Sequence, residues 1–548
     1  MKIDFKLFGS LAKIFPGTEL PVDGAAESGS GLCGEVFSFQ VAFRADRRID
    51  GLSFSLDSPI AEFCQVRFVR SVPVEFISFA VDDNMLSTLP GLFPDRLCEP
   101  GDFRTNPGIW YSAWVTVRIP GGQQPGTYPI ALRLKAECWD DASETRECVS
   151  PAFLLTVGRV RLAPLSMRCT EWFYADCVYV LHKVDPWSEA HWTLLEKYFR
   201  NMAAHGIRLL YTPLFTPPLD TAVGGERPTT QLVKIKMTGD GGYVFDFSML
   251  KRWIDLALQC GIEQFEMSHF FTQWGAEKCP KIVVVNANGV EERKFGWHTA
   301  ALGAEYRAFL TAFLPELEKF LAAERLSGKV YFHVSDEPGV RHKAHYGAVS
   351  ELLHRLLPGG KFFDALSDPE FFDDKLVDIP VPSNAAVDRF ADRSVPERWT
   401  YYCCSEWEKV PNQFITMPSA RNRIIGVLMY FYGITGFLHW GYNFWYSQFS
   451  KRVIDPYFDT TSGGGFQPGD PFKVYPGADG PEDSIRHEVF LEAIQDHTAL
   501  TMLEAKIGRK KVMDFIESSC GFKPSMVNYP RSADWLSRFR EEVNRKLE

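Results

Sequence analysis

The chain has 548 residues, 45% hydrophobic and 23% charged, which gives room for two or three globular domains. Its formal net charge of −10 argues against a nucleic-acid partner, because nucleic-acid binding usually needs a basic face. Aromatic residues make up 14% of the chain and include 14 tryptophans, a surplus that suits a protein that stacks rings on a neutral ligand.

Localisation and cofactor signals are sparse. No segment has the length and apolar character of a membrane span, and the first residues lack the apolar run of a secretion signal. We therefore expect no membrane span, and either a cytoplasmic protein or an exported one whose leader is absent from this sequence.

The 12 cysteines show no C-x-x-C pair and no zinc-type spacing, so we expect mostly buried free thiols and no metal site. No G-x-G-x-x-G or P-loop motif is present, so we expect no cofactor. The question of whether the chain forms a homo-oligomer stays open.

Residues 1–162 show short alternating runs of apolar and polar residues that are cut by turn residues, as in residues 37–43 and 114–119. This pattern predicts an antiparallel N-terminal β-sandwich, with residues 161–165 as the linker out of it.

After Pro164, strand-like runs alternate with helical ones, which predicts parallel βα units. About eight strand positions can be counted, so we predict a (β/α)8 TIM-like barrel over residues 163–500 and a helical C-terminal segment over 501–548. The fold class is multidomain, α/β plus all-β. The predicted barrel strands cover residues 170–173, 207–211, 262–267, the run from 330, 361–366, 377–381, 399–403 and 436–440. The predicted helices cover residues 188–204, 247–259 (after a hairpin), 302–323, 346–357 and 419–432.

Two adjacent acids, Asp336 and Glu337, follow the apolar run that begins at Val330 and precede the chain-breaking Pro338. Barrel enzymes carry their catalytic groups at the carboxyl ends of strands. Two carboxylates at the rim of a core repel each other and lose hydration, which raises the pKa of one of them. We predict that Asp336 and Glu337 are catalytic and differ in role; a solvated acidic loop is the alternative.

Residues 436–446 end a predicted strand with indole and phenol rings beside an amide. Sugars present CH faces to rings and hydroxyls to amides, so the segment suits the floor of a carbohydrate site. Core packing is the competing interpretation for the aromatic residues, and a structural role is the competing one for the histidines. The predicted substrate-binding residues, all at or near strand ends, are Tyr401, Tyr402, Trp440, Asn443, Trp445, His269 and His333.

Several motifs together resemble glycoside hydrolase family 123. They are Asp336-Glu337-Pro338, the Trp399-x-Tyr401 strand leading to Pro411-Asn412, Gly436-x-Leu438-x-Trp440-x-x-Asn443-x-Trp445, and Tyr475-Pro476-Gly477 with Ser484-Ile485-Arg486. Members of that family are retaining exo-β-N-acetylgalactosaminidases. The resemblance implies hydrolysis of terminal β-linked GalNAc from a glycan or glycoconjugate.

The resemblance also implies a substrate-assisted mechanism. The 2-acetamido group of the sugar would attack the anomeric carbon and form an oxazoline intermediate. Asp336 would orient the acetamido group and stabilise its charge, and Glu337 would act as general acid and then general base.

Two alternatives stay open. One is a conventional retaining glycosidase with a carboxylate nucleophile, for which Glu266 or Asp368 lies near a strand end. The other is a carbohydrate-binding protein that recognises a sugar without turning it over. Activity on sugars that lack the acetamido group would favour the first, and failure to release any aryl group would favour the second.

Overall fold

The computed structural model describes residues 1–75, 77, 82–99, 101, 103–139 and 145–548. It shows a mixed α/β chain in which an N-terminal region of several β-sheets precedes a nearly closed barrel of eight parallel strands and a set of helices. This agrees with the predicted class and is consistent with a TIM-like barrel. Across the described part of the chain, none of the helices combines the length and the apolar character needed to cross a bilayer.

The N-terminal region forms two sheets. One has the strand order β1-β3-β7-β5-β6, and the other has β2-β10-β8-β4 with β9 paired to β8. The strands are β1 (Ile3–Gly9), β2 (Ser28–Cys33), β3 (Val36–Ala45), β4 (Ile49–Asp57), β5 (Cys64–Val74), β6 (Gly91–Cys98), β7 (Tyr111–Arg118), β8 (Gly126–Cys138), β9 (Thr145–Val149) and β10 (Phe153–Arg161).

The two sheets share one hydrophobic core. Phe39 and Val115 from the first sheet and Leu132 and Leu155 from the second are buried in it. The prediction that all strands pair antiparallel was wrong for one pair, because β2 runs parallel to β10. Strands β3 to β9 separate β2 from β10 in the chain, so no hairpin forces these two strands to run antiparallel.

Fourteen further strands follow. They are β11 (Arg168–Glu171), β12 (Leu209–Thr212), β13 (Lys234–Met237), β14 (Tyr243–Asp246), β15 (Gln264–Met267), β16 (Ile282–Val285), β17 (Glu291–Phe295), β18 (Val330–Phe332), β19 (Lys361–Ala365), β20 (Ile379–Val381), β21 (Trp399–Tyr401), β22 (Gly436–His439), β23 (Tyr475–Gly477) and β24 (Gly480–Glu482).

Eight of these strands form the barrel in the order β20-β19-β18-β15-β12-β11-β22-β21. Each pairs in parallel with its neighbours, so all of their carboxyl ends meet at one face. The gap between β20 and β21 is spanned by a single parallel bridge between Ser383 and Tyr401. The eight strand positions read from the sequence all correspond to barrel strands.

The helices surround the barrel and extend beyond it. In α4, Tyr306, Phe309, Phe313 and Leu317 recur at helical spacing and are buried, which explains why the sequence forms a helix there. The helices are α1 (Ala175–His182), α2 (Glu189–Ala204), α3 (Ser248–Gln259), α4 (Ala304–Ala323), α5 (Lys343–Leu356), α6 (Glu370–Asp373), α7 (Ser419–Tyr432), α8 (Ile485–Ile507), α9 (Arg509–Cys520) and α10 (Ala533–Leu547).

Two small sheets interrupt the barrel pattern. β14, β13, β16 and β17 form a four-stranded sheet, and β23 pairs with β24. The four-stranded sheet covers α4, where the rings of Phe245 and Phe313 lie 5.2 Å apart. The sequence predicted only the hairpin of β13 and β14.

The C-terminal helices lie between the barrel and the N-terminal sheets. Side chains of α7, α8, α9 and α10 share a core with Leu11, Leu97 and Trp114 of the N-terminal region. Helix α8 is continuous across position 500, and the predicted division into three domains stays a prediction.

Candidate active site

A cleft opens at the carboxyl ends of the barrel strands. It holds about 810 Å³ of empty space, a volume that includes open solvent at its mouth. Both predicted catalytic acids, Asp336 and Glu337, line it. The aromatic residues that surround them are Trp172, Trp274, Tyr401, Trp440, Phe449 and Phe466.

The two acids reach the same cleft because regular structure ends before them. Strand β18 stops at Phe332, and the Glu337 N–H donates to the Ala365 carbonyl over 3.0 Å. The backbone of Glu337 has φ +44°, a left-handed conformation that costs a non-glycine residue about 1–3 kcal/mol. Strain of this kind clusters at functional sites, and here it turns two consecutive carboxyl groups toward one space.

Both carboxyl groups hold protons more strongly than free carboxyl groups do. Burial raises the pKa of Asp336 well above its ordinary value, and the negative charge of Glu337 adds to this rise. Burial also raises the pKa of Glu337; although this side chain is exposed to the cleft, protein surrounds it on its other sides. The Tyr401 hydroxyl donates to Glu337 Oε1 over 2.7 Å and opposes that rise. The pair therefore favours a state in which at least one of the two acids is protonated.

Two of the predicted binding residues line the cleft. They are Tyr401, which lies beside Glu337, and Trp440. The Trp440 indole N–H donates to Asp470 Oδ2 over 2.8 Å. The Trp440 ring also packs against Phe466, with 4.8 Å between the ring centroids. Their orientation is therefore fixed before a ligand arrives.

Three other predicted binding residues, Tyr402, Asn443 and Trp445, lie behind the cleft wall. Tyr402 points away from the cleft because neighbours on a strand face opposite sides, and its hydroxyl donates to Asn422 Oδ1 on α7 over 3.2 Å. The Asn443 side chain makes two hydrogen bonds to the backbone of Tyr174. Its Oδ1 accepts from the Tyr174 N–H over 2.8 Å, and its Nδ2 donates to the Tyr174 carbonyl over 3.1 Å. Trp445 is fully buried. These three side chains support the wall and do not line the cleft.

His269 and His333, the last two predicted binding residues, lie beneath the cleft floor, where both are fully buried. His333 Nδ1 lies 2.8 Å from Asp364 Oδ1, and its Nε2 lies 2.5 Å from Glu266 Oε1. We call Glu266, His333 and Asp364 the buried triad. The His269 ring stacks on His333 with 4.0 Å between centroids, and Trp172 separates both histidines from the cleft.

His269, His333 and Asp364 lie close enough together to hold a metal ion. Most of their donor atoms already have partners, however: both nitrogens of His333 face carboxylates, and His269 Nδ1 pairs with the Tyr211 hydroxyl at 3.0 Å. His269 Nε2 is buried without a hydrogen-bond partner among the residues that the structure describes. Asp364 additionally accepts from the Tyr346 hydroxyl over 2.5 Å. Hydrogen bonds thus occupy most of the side-chain atoms that could bind a metal ion here.

Several cleft residues were missed by sequence reasoning. Trp172 ends a predicted strand, so the rule that function collects at carboxyl ends could have found it. Trp274 and Phe449 sit in irregular loops with φ +58° and +60°, where no periodicity marks them. Asp220 also lines the cleft; burial raises its pKa to about 6, and its Oδ2 accepts from the Phe449 N–H over 2.9 Å.

The two carboxylates considered as alternative nucleophiles do not line the cleft. Glu266 is buried in the triad and accepts from the Trp172 indole N–H over 2.6 Å. Asp368 forms an ion pair with Arg389 at 3.0 Å. Neither faces the space that a sugar would occupy.

A family sequence profile described as "Glycoside hydrolase 123, catalytic domain" matches residues 172–503. The chain belongs to glycoside hydrolase family 123. Its matched region begins at Trp172 on the cleft floor and contains every predicted catalytic and binding residue. The chain is therefore a glycoside hydrolase, and its substrate is a glycan or a glycoconjugate.

One solved structure of this family shares the fold of the chain. A family 123 glycoside hydrolase from Clostridium perfringens, described in a study of glycolipid glycan hydrolysis, superposes with a TM-score of 0.73 at 15% identity. The match covers 100% of this chain and 97% of that one. A family 5 mannosidase from Rhizomucor miehei matches with a TM-score of 0.34 at 12% identity, covering 64% of this chain and 96% of its own. No curated protein sequence shows a significant match to this family 123 chain.

Proposed function

We propose that the protein is a retaining exo-β-N-acetylhexosaminidase, with terminal β-linked GalNAc as the first candidate substrate and GlcNAc as the second. The observation that carries this proposal is the pair of neighbouring acids with raised pKa values inside a ring-lined cleft. The Clostridium perfringens relative was studied for glycolipid glycan hydrolysis, so the glycan of a glycolipid is a candidate substrate here as well.

The proposed reaction needs no enzyme nucleophile. The acetamido oxygen of the sugar attacks the anomeric carbon while Glu337 gives its proton to the leaving oxygen, which breaks the glycosidic bond. Asp336 as a carboxylate accepts the amide N–H and stabilises the oxazolinium. Glu337 then takes a proton from water as that water opens the oxazoline, so two inversions give net retention.

The proton must sit on Glu337 for the first step, although the pKa of Asp336 is raised more strongly in the free cleft. Substrate binding reverses this preference. The amide N–H of the sugar donates to Asp336, and the growing positive charge beside it favours the carboxylate form. A bound acetamido sugar therefore favours ionised Asp336 and protonated Glu337, which links catalysis to the presence of that group.

The cleft walls fit a sugar ring. Trp172 and Trp440 offer faces for CH groups, while the Tyr401 hydroxyl and the two acids supply polar partners. This mixture of rings and few polar groups is typical of carbohydrate sites.

A panel of aryl β-glycosides of GalNAc, GlcNAc, galactose and glucose tests the proposal. We expect release from GalNAc first and GlcNAc second, the β-anomer as the first product by NMR, and inhibition by a GalNAc-thiazoline. An α-anomer as first product, or unimpeded turnover with the thiazoline bound, would overturn the mechanism. Asp220→Asn is the matched control, because a role for Asp220 as nucleophile would abolish activity in that variant.

A further inference from the structure

The buried triad lies directly beneath the catalytic pair. Glu266, His333 and Asp364 are each fully buried, and placing several charges in a protein interior is costly unless they are paired and hydrogen-bonded. Each of the two carboxylates also accepts hydrogen bonds from a different part of the cleft, which ties the triad to the active site.

At one end, Asp364 fixes the segment that carries the catalytic acids. The backbone N–H groups of Val334 and Ser335 donate to its two oxygens over 3.1 and 3.2 Å. The Tyr346 hydroxyl from α5 holds the same carboxylate over 2.5 Å. Asp336 follows Ser335 directly, so the position of Asp364 sets where the catalytic pair begins.

At the other end, Glu266 fixes the cleft floor. Its Oε1 accepts from the Trp172 indole N–H over 2.6 Å, and its Oε2 accepts from the Thr170 hydroxyl. Since Trp172 lines the cleft, Glu266 orients a ring on which the sugar would lie.

His333 joins the two ends. Each of its ring nitrogens faces a carboxylate oxygen, whereas a neutral imidazole carries only one N–H. Two such hydrogen bonds are satisfied together by an imidazolium. Burial alone would lower the pKa of His333, but the hydrogen bonds to Asp364 and Glu266 outweigh burial and raise it to about 9.

The other titratable groups facing His333 are His269, Tyr211 and Asp336. The pKa of His269 is lowered well below its ordinary value by burial and then by the charge of His333, so it adds no second cation. Burial raises the pKa of the Tyr211 hydroxyl well above its usual range, so that group stays neutral. The positive charge of His333 opposes the rise in the pKa of Asp336, whereas Asp364 and Glu266 add to it.

We propose that His333 is a positioning residue that stays an imidazolium through the working pH range, joins the catalytic segment to the Trp172 floor, and favours the ionised form of Asp336. This inference rests on the proposed function for the role of Asp336. Its structural part, the charge on His333, does not depend on that function.

Two variants with opposite electrostatic effects test the inference. His333→Gln removes the cation, so the pKa of Asp336 rises. The acid limb of kcat, which reports the enzyme with substrate bound, then moves to higher pH by about 1 unit. Glu266→Gln removes an anion while Asp364 keeps the imidazolium charged, so the acid limb moves to lower pH. We expect kcat/KM to fall in both, by up to about 10²-fold, because the catalytic segment or the floor loses a support.

Tyr346→Phe is the matched control, because it loosens Asp364 without changing any charge. We expect it to lower the rate and leave the acid limb in place. Unmoved acid limbs in His333→Gln and Glu266→Gln, or shifts in the same direction, would overturn the electrostatic role. If His333→Gln does not fold, the electrostatic role is still tested by the expected shift of the acid limb to lower pH in Glu266→Gln.

A measurement that does not depend on activity tests this inference separately from the proposed function. NMR of the wild-type protein with ¹⁵N-labelled histidine, with the His333 signals assigned by their loss in a variant, should show both ring nitrogens protonated at pH 7. A neutral His333 would overturn the inference whatever the enzyme hydrolyses. Failure on every aryl glycoside, with His333 charged, would overturn the proposed function and leave the charged triad standing.

Discussion

At the scale of single residues, Tyr401 tunes the acid that the proposed mechanism uses. Its hydroxyl donates to Glu337 Oε1 and stabilises the carboxylate form. In Tyr401→Phe the pKa of Glu337 rises, so the acid stays protonated to higher pH. We expect the alkaline limb of kcat, which reports the enzyme with substrate bound, to move up by about 1 pH unit, since a hydrogen bond to a charged group contributes about 1.5–3 kcal/mol. The measurement is a pH–rate profile with an aryl glycoside.

The adjacent tyrosine provides the control. The Tyr402 hydroxyl bonds Asn422 behind the wall, so Tyr402→Phe should lower the free energy of unfolding by about 1 kcal/mol and leave the pH profile unchanged. An alkaline shift in Tyr402→Phe, or none in Tyr401→Phe, would contradict the assignment.

The two acids should respond differently to the leaving group. Glu337→Gln removes the proton donor, so we expect a loss of about 10²- to 10⁴-fold with poor leaving groups and recovery with activated aryl groups. Asp336→Asn removes the charge that stabilises the oxazolinium, and an activated leaving group should not restore its rate. Rates measured across a series of substituted phenols check this, and wild-type rates in either variant would remove the roles given to the pair.

At the scale of elements, a glycine lets two helices approach closely. A Cβ added to Gly426 in α7 would lie 1.9 Å from the Ala493 carbonyl oxygen in α8. We expect Gly426→Ala to lower the free energy of unfolding by about 3 kcal/mol, because backbone cannot yield as a side chain does. Chemical denaturation measures the loss.

Gly347 in α5 is the matched helical glycine, because a Cβ there would meet only the Leu376 side chain at 3.4 Å. We expect Gly347→Ala to stabilise the protein by up to about 1 kcal/mol through helix propensity. Equal effects at Gly426 and Gly347 would show that helix packing does not set the α7–α8 distance.

At the scale of the whole molecule, buried ion pairs join the N-terminal sheets to the barrel region. Asp95 of β6 meets the Arg486 guanidinium of α8 through two contacts of 2.9 Å, and the Tyr475 hydroxyl donates to the same carboxylate over 2.7 Å. Asp95→Asn leaves a buried arginine charge unpaired, which should cost about 3–5 kcal/mol of unfolding free energy. We expect one cooperative denaturation transition at lower denaturant.

Asp57→Asn is the control for Asp95→Asn, because it breaks an exposed ion pair between an aspartate and an arginine. Asp57 lies 2.9 Å from Arg133 on the surface of the N-terminal region, where ion pairs contribute less than about 1 kcal/mol. A separate transition for the N-terminal sheets in Asp95→Asn, or equal losses in the two variants, would contradict a shared interface.

Much of the fold could be read from local pattern. Strand alternation and the 3.6-residue repeat depend on which face of an element is buried, so the eight barrel strands and α4 were visible in the sequence. The parallel pairing of β2 with β10 was not, because pairing direction depends on contacts between segments far apart in the chain.

The sequence by itself determined the family motifs, the pair of adjacent acids that follows β18, and the ring-rich strand ends. Only the tertiary structure decided which residues face the cleft. Tyr401 and Tyr402 are chemically the same side chain, yet strand geometry sends one to Glu337 and the other to α7. His333 and Glu266 could be read as ligand or nucleophile until their burial and mutual hydrogen bond placed them below the floor, since the reactivity of a polar group depends on neighbours that the chain brings together only on folding.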